Sequence, residues 1–304
     1  MTSDLVGAPD GSAPSALSES RCSRRAILLS PLGLLGAARP PHKVTRRTHA
    51  SNSSVPRPTG VPGQWSVGLD ENFQGTTLDG ALWNTQYPWG EDNNGDGSEN
   101  CYLPTNAVLD GNGHLVLTGR QGLIEGTSST GQPKSWPYNS GQVNTYGKFA
   151  LEYGALEMRA RVPAGPGVWP AFWALPADGS WPPEVDVMEI YGSMPNVLEM
   201  TYHRGTPDNR QVEYQKRTLA RGAAFSDRFH IYGCDIAPDA ITWYLDGVRQ
   251  WSFGMRQDIV TQLKPLYIVC NFAVGGLGGD PGLNTWPQSY VVDYIRAWHR
   301  SDAG

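Results

Sequence analysis

Long apolar runs are scarce in this chain of 304 residues, and beyond Trp65 no stretch of helical period lasts more than a turn or two. That scarcity excludes a helical bundle and leaves no membrane span after the first forty residues or so. Cysteine is sparse as well, four in all, with no CxxC or Cys/His spacing, so the sequence lacks the pattern of a zinc site. Positive charge is short where a polyanion would need it. Eight of the 24 Lys and Arg but only three of the 29 Asp and Glu fall in residues 1–60, leaving the remainder at a net charge of about −10. Nucleic acid is therefore excluded as a partner, because its binding rests on Lys and Arg neutralising phosphates.

What the chain does have is 36 Gly and 24 Pro as punctuation, with 11 Trp and 13 Tyr between them. This composition favours turn-rich β architecture. The clearest element is "AITWYLDGVRQWSF", Ala240 to Phe253, where Asp246-Gly247 separates two alternating runs and predicts a hairpin. Further strands are expected within His114–Arg120, Tyr153–Val162, Val197–His203, Phe229–Ile236, Pro265–Val274 and Tyr290–His299. Roughly a dozen such segments without internal repeat predict one all-β domain, a sandwich or jelly roll of two packed antiparallel sheets.

The N-terminal segment "SRRAILLSPLGLLGAARP" pairs Arg24 and Arg25 with a short apolar run ending in small residues. It reads as an export signal over residues 1–38, with the arginine pair resembling a twin-arginine signal. Residues 39–63, rich in Pro, Ser and Thr, read as a flexible linker, and residues 64–304 as the one folded domain. Export implies a secreted, extracellular protein with no membrane attachment once the signal is removed. Nothing points to an interface, so a monomer is the default. Of the cysteines, Cys22 leaves with the signal. Cys101, Cys234 and Cys270 then form either one disulfide and a thiol or three buried thiols.

The stretch "EVDVMEI", Glu184 to Ile190, sets three carboxylates among residues that belong in a buried strand. Side chains alternate along a strand, so Glu184 and Asp186 share a face while Val185 lies behind. Glu189, five residues on, joins that face only if a β-bulge near Val187 or Met188 absorbs one residue. The two glutamates then stand about 13 Å apart at Cα, and side chains leaning together leave about 5–6 Å between carboxyl groups. That spacing suits a nucleophile and an acid/base across one glycosidic bond, with Asp186 biasing their ionisation. A metal site and a solvated polar face are the other readings of these residue types. Trp169, Trp173 and Trp181, all within fifteen residues before Glu184, offer aromatic faces for sugar rings. Trp173 also fits an ordinary core position.

With these residues in view, the chain resembles glycoside hydrolase family 16, the laminarinase-like endo-β-glucanases of jelly-roll, concanavalin A-like fold. The resemblance rests on "DENF" (70–73), "NTYGKFALEYGALEMRARVPAG" (144–165), "VWPAFWALP" (168–176), "EVDVMEI", "TYH" (201–203), "CNFAVGG" (270–276) and "WPQSYVVDYIRAW" (286–298). The spacing Glu-x-Asp-x-x-Glu is similar to the family's bulged branch. The resemblance implies Glu184 as nucleophile, Asp186 as its assistant, Glu189 as acid/base and His203 near the reaction centre. It implies that Glu99 and Asn100, in "GSENCYLP", touch glycone sugars. No catalytic cofactor is implied, but many members hold a structural Ca²⁺, and Glu71 and Asp293 match two of its ligand positions.

The implied activity is retaining, endo-acting cleavage of a β-1,3 or mixed β-1,3-1,4 glucan. Pro183 stands where laminarinases commonly have Gly, and "AVGGLGGDPG" lacks a Trp often found after "AVGG". "WPPEVDVME" also resembles glycanases of bacterial exopolysaccharide, which with algal galactan stays as an alternative substrate. A noncatalytic carbohydrate-binding sandwich, or a calcium-stabilised adhesion protein, is the alternative of another class.

Overall fold

The computed structural model describes residues 56–92, 96–219, 221–254 and 264–301. The export-signal reading of residues 1–38 and most of the expected linker lie outside the described residues. The strands are β1 Trp65–Glu71, β2 Asn100–Tyr102, β3 Ala107–Leu109, β4 Leu115–Thr127, β5 Pro133–Ser140 and β6 Gln142–Asn144. Then come β7 Gly154–Arg161, β8 Val168–Pro176, β9 Glu184–Glu189, β10 Val197–Thr206 and β11 Asn209–Thr218. The chain continues through β12 His230–Ile236, β13 Ala240–Leu245, β14 Val248–Gly254, β15 Leu266–Val274 and β16 Gln288–Arg300. Among the described residues no helix is long and apolar enough to cross a membrane.

Two sheets form the expected all-β jelly-roll sandwich. The larger runs β14-β13-β12-β7-β16-β4-β5-β2, with β1 on β16 and β3 on β4, and the smaller runs β11-β10-β9-β8-β15-β6. Pairing is antiparallel except between β2 and β5. The hairpin at Asp246-Gly247 joins β13 to β14, and both turn residues have positive φ, 50° and 77°. A type I′ turn demands this, and Asp-Gly supplies it at little strain.

Alternation in the six-stranded sheet divides core from cleft. On β8, Val168, Phe172 and Ala174 enter the main core, while Trp169, Ala171 and Trp173 line the outer face. On β15, Leu266, Ile268, Cys270, Phe272 and Val274 point inward and Asn271 and Ala273 outward. Both strands are buried along their whole length because a second layer of aromatic rings covers the outer face. Among the described residues the cysteines, Cys101, Cys234 and Cys270, are buried thiols without disulfides. Burial pushes the Cys101 thiol up to about 11 and Cys270 to about 12, which leaves both unreactive near neutral pH.

One expectation needs correction. Residues 56–63, expected as the end of a flexible linker, lie along the outer face of the larger sheet. The buried indole of Trp298 donates to Pro56 O at 2.7 Å, and the buried carboxylate of Glu157 accepts Thr59 N at 2.6 Å and Thr59 Oγ1 at 3.2 Å. A buried indole N–H needs a partner, which this segment provides, and the segment shares the Glu157 carboxylate with Tyr294, whose Oη donates to Oε1 at 2.9 Å. A chain beginning at Gln64 is therefore expected to be less stable than one beginning at Ala50, by about 0.5–1.5 kcal/mol for each hydrogen bond lost. Thermal melting of the two chains checks this, and equal midpoints would return the segment to the status of a linker.

Candidate active site

The carboxylate strand is bulged. On β8, Trp173 pairs with Asp186 and Phe172 with Met188, and on β10, Thr201 pairs with Asp186 and Glu199 with Glu189. Val187 is the residue with no counterpart on either neighbour. Val187 and Met188 both turn into the core beside Val185 and Ile190, and this returns Glu189 to the face of Glu184 and Asp186. The sheet interior is thereby filled at the point where its ladder is interrupted. The carbonyl of Asp186, beside the interruption, accepts a 2.9 Å hydrogen bond from Trp243 Nε1 on the opposite sheet. Trp243 is fully buried and stacked on Trp251 with ring centroids 4.4 Å apart, so the donor is held rigidly.

Each glutamate has an indole partner. Trp181 Nε1 donates to Glu184 Oε2 at 2.6 Å, and Trp169 Nε1 donates to Glu189 Oε1 at 2.9 Å. Tyr191 Oη reaches Glu189 Oε2 at 3.4 Å. Asp186, between them, hydrogen-bonds Glu184. His203, directly opposite Glu184 on β10, brings Nε2 to 3.2 Å from Asp186 Oδ2 and 3.6 Å from Glu184 Oε1. Trp173 sits behind this row with its Nε1 on Asn271 Oδ1 at 2.7 Å, and Asn271 donates onward to Tyr102 Oη at 3.0 Å. The row forms the floor of a cleft whose two halves, about 500 and 670 Å³, meet at Trp173, Glu184 and His203.

Burial controls the charge of the row. Desolvation, followed by repulsion from Asp186, pushes Glu184 up to about 8 from the ordinary 4.5, against the pull of His203 and of Trp181. Desolvation also raises Asp186 well above its usual range, with Glu189 adding to the rise. Glu189 is raised to about 7, again by burial first, with the Trp169 hydrogen bond opposing and Glu184 reinforcing it. Three carboxyls in such contact titrate as a set, so the row retains proton near neutral pH and can act as a general acid.

Not every expected site residue lies in the cleft. Trp169, Trp173, Trp181 and His203 all line it. Asn100 does not: it is fully buried, and its Oδ1 accepts Val274 N at 2.7 Å, anchoring β2 beside the end of β15. Glu99 is exposed against Gly275, outside the cleft lining. Sequence reasoning missed Tyr191, Glu199 and Asn271 as cleft residues, although strand alternation from Glu189 and His203 could have found the first two.

The residues implied as calcium ligands do not fit that ion. Glu71 accepts Phe73 N at 2.7 Å on one oxygen and Trp83 Nε1 at 3.1 Å on the other, and Asp293 pairs with the guanidinium of Arg159. Among the described residues, the acidic and imidazole groups that gather are Glu184, Asp186 and His203, with ligand atoms within 4.8 Å of one another. Two carboxylates and an imidazole fall short of the six to eight oxygens that calcium prefers.

Comparison with known proteins agrees with this architecture. A family model described as glycosyl hydrolases family 16 matches residues 96–296. The chain is 34% identical over 231 residues to the endo-1,3-1,4-beta-glycanase ExsH of Rhizobium meliloti (strain 1021), covering 71% of this chain and 47% of that protein. It is 31% identical over 206 residues to a beta-glucanase of Rhodothermus marinus, covering 62% and 68%. The X-ray structure of endo-beta-1,3-glucanase from Pyrococcus furiosus superposes with a TM-score of 0.70 at 29% identity, covering 78% and 95%. The chain spans less than half the length of the first curated relatives that it matches.

Two outcomes follow from the bulge and its charge. Trp243→Phe removes the donor and orphans the Asp186 carbonyl in the core, at an expected cost of about 1–3 kcal/mol on top of that of the void left by the smaller ring, read as a lower urea midpoint at unchanged m-value. Glu184→Gln removes a group whose folded value lies above its unfolded one. The stability that Glu184 contributes is fully present below about pH 4.5 and is lost as pH rises to about 8. The variant is therefore expected to melt progressively higher than wild type between those limits, and a difference independent of pH would contradict the burial argument.

Proposed function

Because the chain belongs to glycosyl hydrolase family 16, we propose that it is an endo-acting, retaining glycoside hydrolase of β-1,3 or mixed β-1,3-1,4 glucan. The observation that carries the proposal is the row of Glu184, Asp186 and Glu189 on one face of a bulged strand, flooring a cleft with three tryptophans. In the first step Glu184 attacks the anomeric carbon as the bond to the leaving oxygen breaks, and Glu189 transfers its proton to that oxygen. Positive charge developing on the sugar beside Glu184 favours its ionised form, so the shared proton is displaced toward Glu189. The Trp181 N–H holds Glu184 for in-line attack, and the Trp169 N–H fixes Glu189 toward the leaving group. In the second step Glu189 takes a proton from water, the hydroxide oxygen bonds the anomeric carbon, and the ester to Glu184 breaks. Every proton moves between Glu189, the leaving group and water.

The proposal extends to export with removal of the leader and to action as a monomer on extracellular polysaccharide, without a catalytic cofactor. Pro183, and the sequence around it, keeps bacterial exopolysaccharide and algal galactan as alternative substrates for the same chemistry. Reducing-end release from laminarin, barley mixed-linkage glucan, agarose and a bacterial exopolysaccharide separates these, and NMR of the first-formed anomer tests retention. Glu184→Gln and Glu189→Gln are each expected to lose about 10²–10⁴-fold in kcat, with a milder loss for Asp186→Asn. An inverted first product, or a Glu184→Gln protein with most of its activity, would sink the assignment.

A further inference from the structure

The register of β10 and β11 carries the cleft one strand beyond the carboxylate row. Glu184 pairs with His203 and His203 with Val212, Asp186 with Thr201 and Thr201 with Tyr214, and Glu189 with Glu199 and Glu199 with Lys216. Residues paired across a sheet point to the same face. Val212, Tyr214 and Lys216 thus face the cleft, and so does Arg210, two residues before Val212, opposite Gly205.

The charges along this wall are not equivalent. Lys216 is neutralised by Glu199, and on the other face Arg204 is neutralised by Glu213 at 2.7 Å. Arg210 makes no ion pair with a carboxylate among the described residues. Its guanidinium lies 5.3 Å from the ring centroid of Trp181, the indole that donates to Glu184, and it lines both halves of the cleft. A guanidinium stacked on an aromatic face keeps its N–H edge available in the plane for two parallel hydrogen bonds to an oxyanion. The other charged groups lining the cleft are the carboxyls of Asp96, Glu184, Asp186, Glu189 and Glu199, with Lys216 held by Glu199 and His203 by Asp186, within a domain of net negative charge. Among the cationic groups of this wall, Arg210 is the one whose charge is not taken up by a carboxylate ion pair among the described residues.

We propose that Arg210 is a specificity-determining residue that binds an acid substituent, carboxylate or sulfate, on a sugar beside the cleavage point. This rests on the glycoside hydrolase reading and names the substrate class within it: a β-glucan-type backbone carrying acidic groups. The fixed place of Arg210 next to Trp181 sets the acid group at a constant distance from the bond that breaks. Neutral stretches would still enter the cleft, with the tryptophans as their platform.

The test digests barley β-glucan that has been partly carboxymethylated or partly sulfated and sequences the products by mass spectrometry. Wild type is expected to leave acid groups enriched about tenfold at one sugar position counted from the new chain end. Enrichment should fade between 20 mM and 0.5 M salt. Arg210→Met, which keeps apolar contact with Trp181, should give a random distribution, and Arg210→Lys an intermediate one. The carboxymethyl and sulfate arms tell which oxyanion is preferred. Random placement by wild type, or equal enrichment by Arg210→Met, overturns the proposal while leaving the glucanase reading intact. If no glucan is cut, that reading fails. Calorimetric titration of the Glu184→Gln protein with the same acidic and neutral oligosaccharides then decides the role of Arg210 without turnover. Tighter binding of the acidic form that is lost in Glu184→Gln/Arg210→Met supports it, and equal affinities refute it.

Discussion

Glu189 shares a face with Glu184 and Asp186 through one interruption of strand pairing, the bulge at Val187, and the spacing of the whole row depends on it. Without it Glu189 would lie on the core side of β9, where a carboxylate has no donors and Met188 would be forced outward. The interruption is stabilised from both directions. Val187 and Met188 plug the core, and Trp243 reaches across from the other sheet to satisfy the carbonyl of Asp186. Trp243 stands on β13, in the same hairpin that Asp246-Gly247 closes. A turn formed far along the chain thus helps to fix the spacing of three residues on another sheet.

The same burial that makes the row expensive makes it useful. Three carboxyls in water would all ionise near neutral pH, and none could deliver a proton. Removed from solvent and held in contact, they share fewer charges than they have groups, and the indole N–H groups of Trp169 and Trp181 aim the two outer members. Stability is given up for this arrangement, as expected where charge is concentrated for chemistry. The surrounding layer of Trp173, Asn271 and Tyr102 forms a continuous hydrogen-bonded support that keeps the floor from relaxing around its buried charges.

What the sequence made legible is what local rules determine. The conflict between three carboxylates at offsets 0, 2 and 5 and a strand's strict alternation demanded a bulge, and apolar Val187 and Met188 located it. Asp246-Gly247 announced its hairpin through backbone sterics alone. Contacts made by distant residues were not legible. Asn100 looks like loop polarity until Val274 is found supplying its partner, and Asp293 looks like a metal ligand until Arg159 arrives from another strand. Residues 56–63 have the composition of a linker, and contacts with the distant Trp298, Glu157 and Gly247 hold them to the sheet. Strand β11 escaped because only Val212 and Tyr214 interrupt its polar residues, too few to show a hydrophobic period.

That polarity has two physical consequences for β11. As the edge of its sheet, a strand rich in Arg, Lys and Glu discourages pairing with a second chain. It also keeps its register, because ion pairs on opposite faces, Glu199 with Lys216 and Arg204 with Glu213, tie it to β10 where no core packing could do so. A slip of one residue would break both pairs and turn Arg210 and Tyr214 away from the cleft. The surface charges of this hairpin therefore act like a core elsewhere: they fix which side chains a polysaccharide meets beside Trp181, and they do so without burying apolar area.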